Sequence, residues 1–188
     1  MSTATHDTVW LGRGGQGAFT AARLLGLAAA RFGRRHALAF PSFGPERRGA
    51  PVFAYTRLAD TPLEDRSPVA RADAVVVMDT SLLAQVPTPF IHAGTLVLLN
   101  AAAPRARPPL PGRVRHFDAH ALALEVLGSA HANTALLGYL TGLTGVVAAS
   151  ALEAAIRSEF GEGLRCARNL EAFRRARALA LDSLERAA

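Results

Sequence analysis

Gly12-Arg-Gly14-Gly15-Gln16-Gly17 sets glycines at the spacing G-x-G-x-x-G. Such spacing permits a tight turn, close approach of backbone amides to a ligand, and close packing of the helix that follows. A helix starting there offers free amides to a phosphate or carboxylate. The same residues also make a strand-to-helix turn with no ligand at all. A standard NAD site adds an acid about 20 residues beyond the last glycine. Residues 36–42 instead read His-Ala-Leu-Ala-Phe-Pro-Ser, and the next acid, Glu46, falls inside a proline-bounded loop. Arg34 and Arg35 keep an NADP variant open, in which the chain acts independently as an NADP-binding Rossmann module.

Residues 40–51 hold three prolines and two glycines around the pair Arg47 and Arg48. Pre-organised guanidinium groups suit forked contact with phosphate or carboxylate. The bland alternative is pairing with a neighbouring subunit, or a solvated surface. His116, Asp118 and His120 are metal ligands by type, but their context reads as a strand end and a helix N-cap with exposed imidazoles. His131 beside Asn133 fits local hydrogen bonding, and Asp79-Thr-Ser81 fits helix capping at a strand end. No Ser/His/Asp set or carboxylate pair can be composed. All 21 basic residues are arginine, so lysine Schiff bases and a phosphate-loop lysine are excluded. The single cysteine, Cys166, allows no internal disulfide and cannot hold an iron–sulfur cluster alone; a packed small hydrophobe is its simpler role.

Chemistry at these positions needs elements to hold it. Residues 8–11 read as a short buried strand, and residues 16–32 have helical spacing ended by Gly33. Further strands fit residues 36–40, 52–58, 72–78, 95–99 and 113–117; the continuous apolar runs at 72–78 and 95–99 suit the interior of a parallel sheet. Residues 101–111, rich in Pro and Arg, suit a surface loop. Beyond Asp118 the pattern is helical almost to the end. Ser150 and Glu153 match a capping box, and Leu170, Phe173, Leu181 and Leu184 an apolar stripe. Glu171 with Arg175, and Asp182 with Arg186, are spaced for i,i+4 pairs. Together these predict one α/β domain over residues 1–188: a single Rossmann-like, mostly parallel sheet flanked by helices, with a helical C-terminal tail.

Composition sets the outer limits. Half of the 188 residues are hydrophobic, enough for a core. No apolar run approaches the roughly 20 residues of a membrane span, and residues 1–7 show no signal-peptide pattern, so a cytoplasmic protein is expected. The net charge of +6 is uneven: the first fifty residues carry seven Arg against Asp7 and Glu46. Such a face suits an acidic ligand, an acidic partner or nucleic acid. With aromatics at 6% and none interleaved with arginines, nucleic acid is disfavoured.

The Gly12–Gly17 block followed by Thr20-Ala-Ala, and Ala39-Phe-Pro-Ser-Phe-Gly-Pro-Glu-Arg-Arg-Gly-Ala-Pro-Val52, closely resemble gamma subunits of pyruvate:ferredoxin oxidoreductases and related 2-oxoacid:acceptor oxidoreductases. Asn133-Thr-Ala-Leu-Leu-Gly138 and residues 150–156 extend the resemblance through nearly the whole chain. It implies a non-redox subunit, not catalytic alone, of an enzyme that oxidatively decarboxylates a 2-oxoacid with coenzyme A. Thiamine diphosphate with Mg would then sit in alpha and beta subunits, and 4Fe–4S clusters in a ferredoxin-like delta subunit, with a flavin subunit as an option. The resemblance implies a share in CoA binding and assembly here, through Gly12, Gly14, Gly15, Gln16, Gly17, Arg47, Arg48 and Asn133. At the place of Arg47 and Arg48, fused members of the family carry lysines. Neither nucleic acid nor membrane is an expected partner. The 2-oxoacid is pyruvate by default, with 2-oxoglutarate, branched-chain acids and aryl glyoxylates such as phenylglyoxylate open, as is the acceptor, ferredoxin or NAD.

Overall fold

The computed structural model describes residues 5–43, 50–63, 67, 69–102 and 109–187. Six strands form one sheet: β1 (Thr5–Arg13), β2 (His36–Phe43), β3 (Pro51–Ala59), β4 (Ala74–Val77), β5 (Leu96–Asn100) and β6 (Arg113–Phe117), in the order β2-β3-β1-β4-β5-β6. The pairs β1/β4, β4/β5 and β5/β6 are parallel, while β3 runs antiparallel to both β1 and β2. Every residue of β4 and β5 is buried, as continuous apolar runs in a covered parallel sheet should be. β6 has the predicted bounds, and β1 to β3 extend past theirs.

The sheet separates two cores by strict alternation. Trp10, Val76 and Leu98 face one, and Val9, Leu11, Val75, Val77 and Leu99 the other. All five α-helices feed the first: α1 (Ala18–Leu27), α2 (Ala119–Leu127), α3 (Asn133–Thr144), α4 (Ala149–Phe160) and α5 (Leu164–Glu185). The second is closed by Val69, Val86, Ile91 and Leu82, the last on a 3-10 turn (Thr80–Gln85). α1 starts later than its spacing suggested because Gly17 stands in the left-handed region, and its end widens into a π-type turn over Ala28–Phe32 before Gly33. No helix among the described residues is long and apolar enough to cross a membrane.

Three local expectations fail for physical reasons. The capping box at Ser150 does not form: α4 begins at Ala149 after an extended Ala148, with no side-chain cap. Glu153 is drawn away by Arg174 of α5 and, at 3.6 Å, by Arg157. Arg175 forks onto Glu125 of α2 (2.8 and 3.1 Å) rather than pairing along its own helix with Glu171. The apolar stripe of α5 holds at Leu170 and Phe173, but Leu181 and Leu184 are exposed; Ala172, Ala176 and Ala180 take the buried positions. Small residues are needed because α3 lies almost backbone to backbone on α5. A Cβ on Gly138 would strike the Phe173 carbonyl, and one on Gly142 would come 2.6 Å from the Ala180 methyl.

Candidate functional site

The turn from β1 into α1 is closed from within. Gln16 folds back so that its Oε1 accepts the Arg13 N–H at 2.7 Å, while its own N–H donates to the Arg13 carbonyl at 3.0 Å. A Cβ on Gly12 would lie 3.1 Å from that Gln16 oxygen and 3.3 Å from Met78 Sδ. Gly15 and Gly17 have φ of +93° and +85°, conformations that suit glycine. Gly14 donates its N–H to the carbonyl of Ala50, where the described chain resumes after residues 44–49. Gln16 is thus a structural clasp of the turn.

Across the carboxyl ends of β1 and β4, Arg13 donates to Asp79 (2.8 Å) and Ser81 (2.7 Å). The Ser81 hydroxyl first, and Arg13 after it, hold the Asp79 carboxyl below its ordinary range. Asp79 also accepts the Ser81 N–H, capping its 3-10 turn as the sequence suggested.

Beside the glycine turn opens a pocket of about 530 Å³. It is lined by Gly15, Gly17 and Thr20 from the turn and α1, by Asn133 of α3, by Leu164, Arg165, Arg168 and Asn169 of α5, and by Leu127 and Phe160. Three helix starts meet here, those of α1, α3 and α5, and none has a side-chain cap. Uncapped starts leave amide donors and positive helix dipoles, an arrangement that favours an anion. The Asn133 side chain packs on Gly17: a Cβ there would be 2.8 Å from Nδ2. Asn133 is only 8% exposed, and among the described residues its side-chain amide makes no hydrogen bond. With its donors and acceptor unused and open to the pocket, this amide is available to a ligand.

The far wall is braced from behind. Thr134 donates to Asn169 Oδ1 (2.7 Å), and Asn169 Nδ2 donates to the Arg165 carbonyl (2.8 Å). Sequence reasoning brought Gly12–Gly17 and Asn133 forward but missed Thr20, Arg165, Arg168 and Asn169. A signal existed: residues 165, 168 and 169 are spaced i, i+3, i+4, one polar face on the first turns of a helix. It was overlooked because the helix read as an amphipathic tail.

Other candidates fall elsewhere. Arg47 and Arg48 lie outside the described residues. His131 Nδ1 lies 3.2 Å from Ser129 Oγ, the expected local contact, at the pocket rim. Asp118 caps α2 by accepting the Ala121 N–H. The histidines flanking it are not exposed as expected but half-buried: burial draws His116 below the ordinary imidazole range, and His120 is gripped by Asn100. Asn100 also accepts the Ala119 N–H and donates to the Met78 carbonyl, a strand-to-helix clasp the sequence did not disclose. The described residues contain no cluster of three metal-ligating side chains. Arg35 pairs with Asp60 (2.8 Å) and reaches the Val146 carbonyl. Its neighbour His36 and Thr5 are both level with Ala59, so Arg35 sits at the start of β1, roughly 25 Å from the turn at ~3.3 Å per residue. Arg34, the residue before it, lies at the same end, so both arginines that kept an NADP site open are far from the turn.

Comparison with known proteins agrees with this fold. The model of the pyruvate ferredoxin/flavodoxin oxidoreductase family matches residues 7–179. The common subunit gamma of the pyruvate/ketoisovalerate oxidoreductases of Thermococcus kodakarensis is 41% identical over 159 residues, 81% of this chain and 85% of that one. The crystal structure of the pyruvate oxidoreductase subunit PORC of Thermotoga maritima superposes with a TM-score of 0.80 at 31% identity, over 94% of this chain and 97% of that one. The 2-oxoglutarate:ferredoxin oxidoreductase of Magnetococcus marinus, solved with 2-oxoglutarate, coenzyme A and succinyl-CoA bound, superposes at 0.81 over 96% of this chain and 31% of its own; at 22% identity that likeness carries the fold alone. The chain therefore belongs to the pyruvate ferredoxin/flavodoxin oxidoreductase family, on its pyruvate branch, as a gamma subunit of a multisubunit oxidoreductase.

Proposed function

We propose that this gamma subunit supplies the coenzyme A side of the active site and helps to hold the complex together. The observation that carries it is the Asn133 amide, set on Gly17 without a hydrogen bond among the described residues, in a pocket that Arg165 and Arg168 also line and at which three uncapped helix starts meet. CoA carries a pyrophosphate and a 3′-phosphate, which call for fixed cations and backbone amides. Arg165 and Arg168 offer the first and the Gly12–Gly17 turn the second. Arg47 and Arg48 belong to the same proposal: their segment ends at Ala50, whose carbonyl takes the Gly14 N–H. The Magnetococcus marinus enzyme, which shares the fold, has CoA bound.

The partners would be alpha and beta subunits holding thiamine diphosphate and Mg, and a ferredoxin-like delta subunit holding the clusters, in the cytoplasm. One cysteine and no lysine fit that division of labour. Pyruvate, and ketoisovalerate after the Thermococcus relative, are the 2-oxoacids the comparisons favour; phenylglyoxylate draws no support from them.

In the intact complex, Arg47→Ala or Arg48→Ala should remove one charge-assisted phosphate contact, about 1.5–3 kcal/mol, raising the KM for CoA roughly ten- to a hundredfold. Asn133→Ala, which removes a neutral hydrogen bond, should raise it several-fold. The KM for the 2-oxoacid and the CoA-independent decarboxylation should stay put. Variants that assemble and saturate with CoA like the parent would sink the proposal. Parallel loss of every activity with dissociation would show that these arginines only join subunits.

A further inference from the structure

The pocket lining is chemically mixed. Arg168 and the helix starts bring charge and amide donors to its lining, and Leu127, Phe160 and Leu164 bring apolar surface. Phe160 and Leu127 are half-buried against the helical core, whereas Leu164 is 66% exposed, a large apolar side chain left at the pocket mouth. Arg165 and Phe160 line it together, the guanidinium 4.9 Å from the centre of the ring. Among the described residues that guanidinium has no ion pair or hydrogen bond, so the ring is what orients it. Its backbone is fixed as well, through the relay from Thr134 and Asn169.

An anion needs none of this. A phosphate is served by cations and amides, and the flexible pantetheine arm has no flat face to match a ring. A purine does: it stacks on aromatic rings and on guanidinium planes, and its edge tolerates apolar neighbours. We infer that Phe160 and Arg165 form the stacking platform for the nucleobase of the ligand, with Leu164 closing over it and the phosphates running toward Arg168 and the glycine turn. This deepens, and rests on, the proposal that the pocket takes CoA.

The test compares two thiols in the intact complex: CoA, and 4′-phosphopantetheine, which has the thiol but no adenosine. Loss of one stacked base contact corresponds to roughly a ten- to hundredfold change. Phe160→Leu should raise the KM for CoA by that order and leave 4′-phosphopantetheine unmoved, while Phe160→Tyr, which keeps a ring, should stay near the parent. In the unaltered complex, a CoA bearing fluorescent 1,N6-ethenoadenine should be quenched on binding; this needs no variant to fold. Equal loss with both thiols, or an unquenched bound analogue, overturns the platform. If Asn133→Ala raises the KM for CoA and Phe160→Leu does not, the platform falls and the CoA site stands. If neither variant moves it, both fall.

Discussion

Gly17 and Asn133 are 116 positions apart in sequence and form one unit in space, which makes their coupling measurable. Gly17→Ala forces an L-residue to φ +85° and pushes a methyl into the Asn133 amide, 2.8 Å away. The backbone part costs about 1–2 kcal/mol wherever a Cβ meets the left-handed region; the steric part exists only while Asn133 is there. Gly17→Ala should therefore lower the Tm, and Asn133→Ala in the same chain should recover part of the loss. A double-mutant cycle by thermal unfolding of the complex should give a coupling of 0.5 kcal/mol or more by the general behaviour of contacting residues. Strict additivity would mean that Asn133 simply swings aside. The glycines were legible in the sequence because a turn writes its demands locally. For Arg165, Arg168 and Asn169 the sequence showed a polar helix face but not its partner, since only the α3–α5 packing brings them to one pocket with Gly15 and Gly17.

That packing sets the element scale. α3 carries Asn133 and α5 carries Arg165, so the width of the pocket depends on how closely the two helices approach. Gly138 and Gly142 allow that approach, with the Phe173 carbonyl and the Ala180 methyl in the space a side chain would need. Gly138→Ala meets backbone rather than a flexible side chain, so the helices must separate. Overpacking of this kind typically costs about 1–3 kcal/mol. Here it should also raise the KM for CoA, although residue 138 does not line the pocket. A variant that loses stability and keeps its CoA KM would show that the pocket tolerates helix displacement. The strands were readable from their apolar runs and the start of α1 nearly so, because period and turn chemistry are local signals. The capping box and the i,i+4 pair with Glu171 were misread because Arg174 and Arg175 lie across inter-helix gaps, and tertiary partners outcompeted sequence neighbours.

At the scale of the whole molecule, the surface carries apolar side chains that the proposed assembly would cover. Leu124, Leu164, Leu179, Leu181 and Leu184 are exposed by a third or more of their area, and the chain carries a net charge of +6. Leu164 is accounted for by the pocket; the others lie on α2 and the outer turns of α5 and stay partly open among the described residues. Leu181 and Leu184 also lie beyond residue 179, where the family match ends. With one cysteine, no lysine and no catalytic set, the isolated chain should be colourless and should not turn over any 2-oxoacid. Tagged in its native host, it should instead elute in a brown, stoichiometric complex several times its 19.8 kDa, by native mass measurement. Leu181→Glu with Leu184→Glu tests whether the α5 tail helps to hold that complex. Both side chains are exposed in the lone chain, so its Tm should hardly move. If the α5 tail is an assembly surface, burying two carboxylates against a partner is costly without a paired cation, and the complex should dissociate. If the complex survives the double change, the exposed leucines of the tail contribute nothing to assembly.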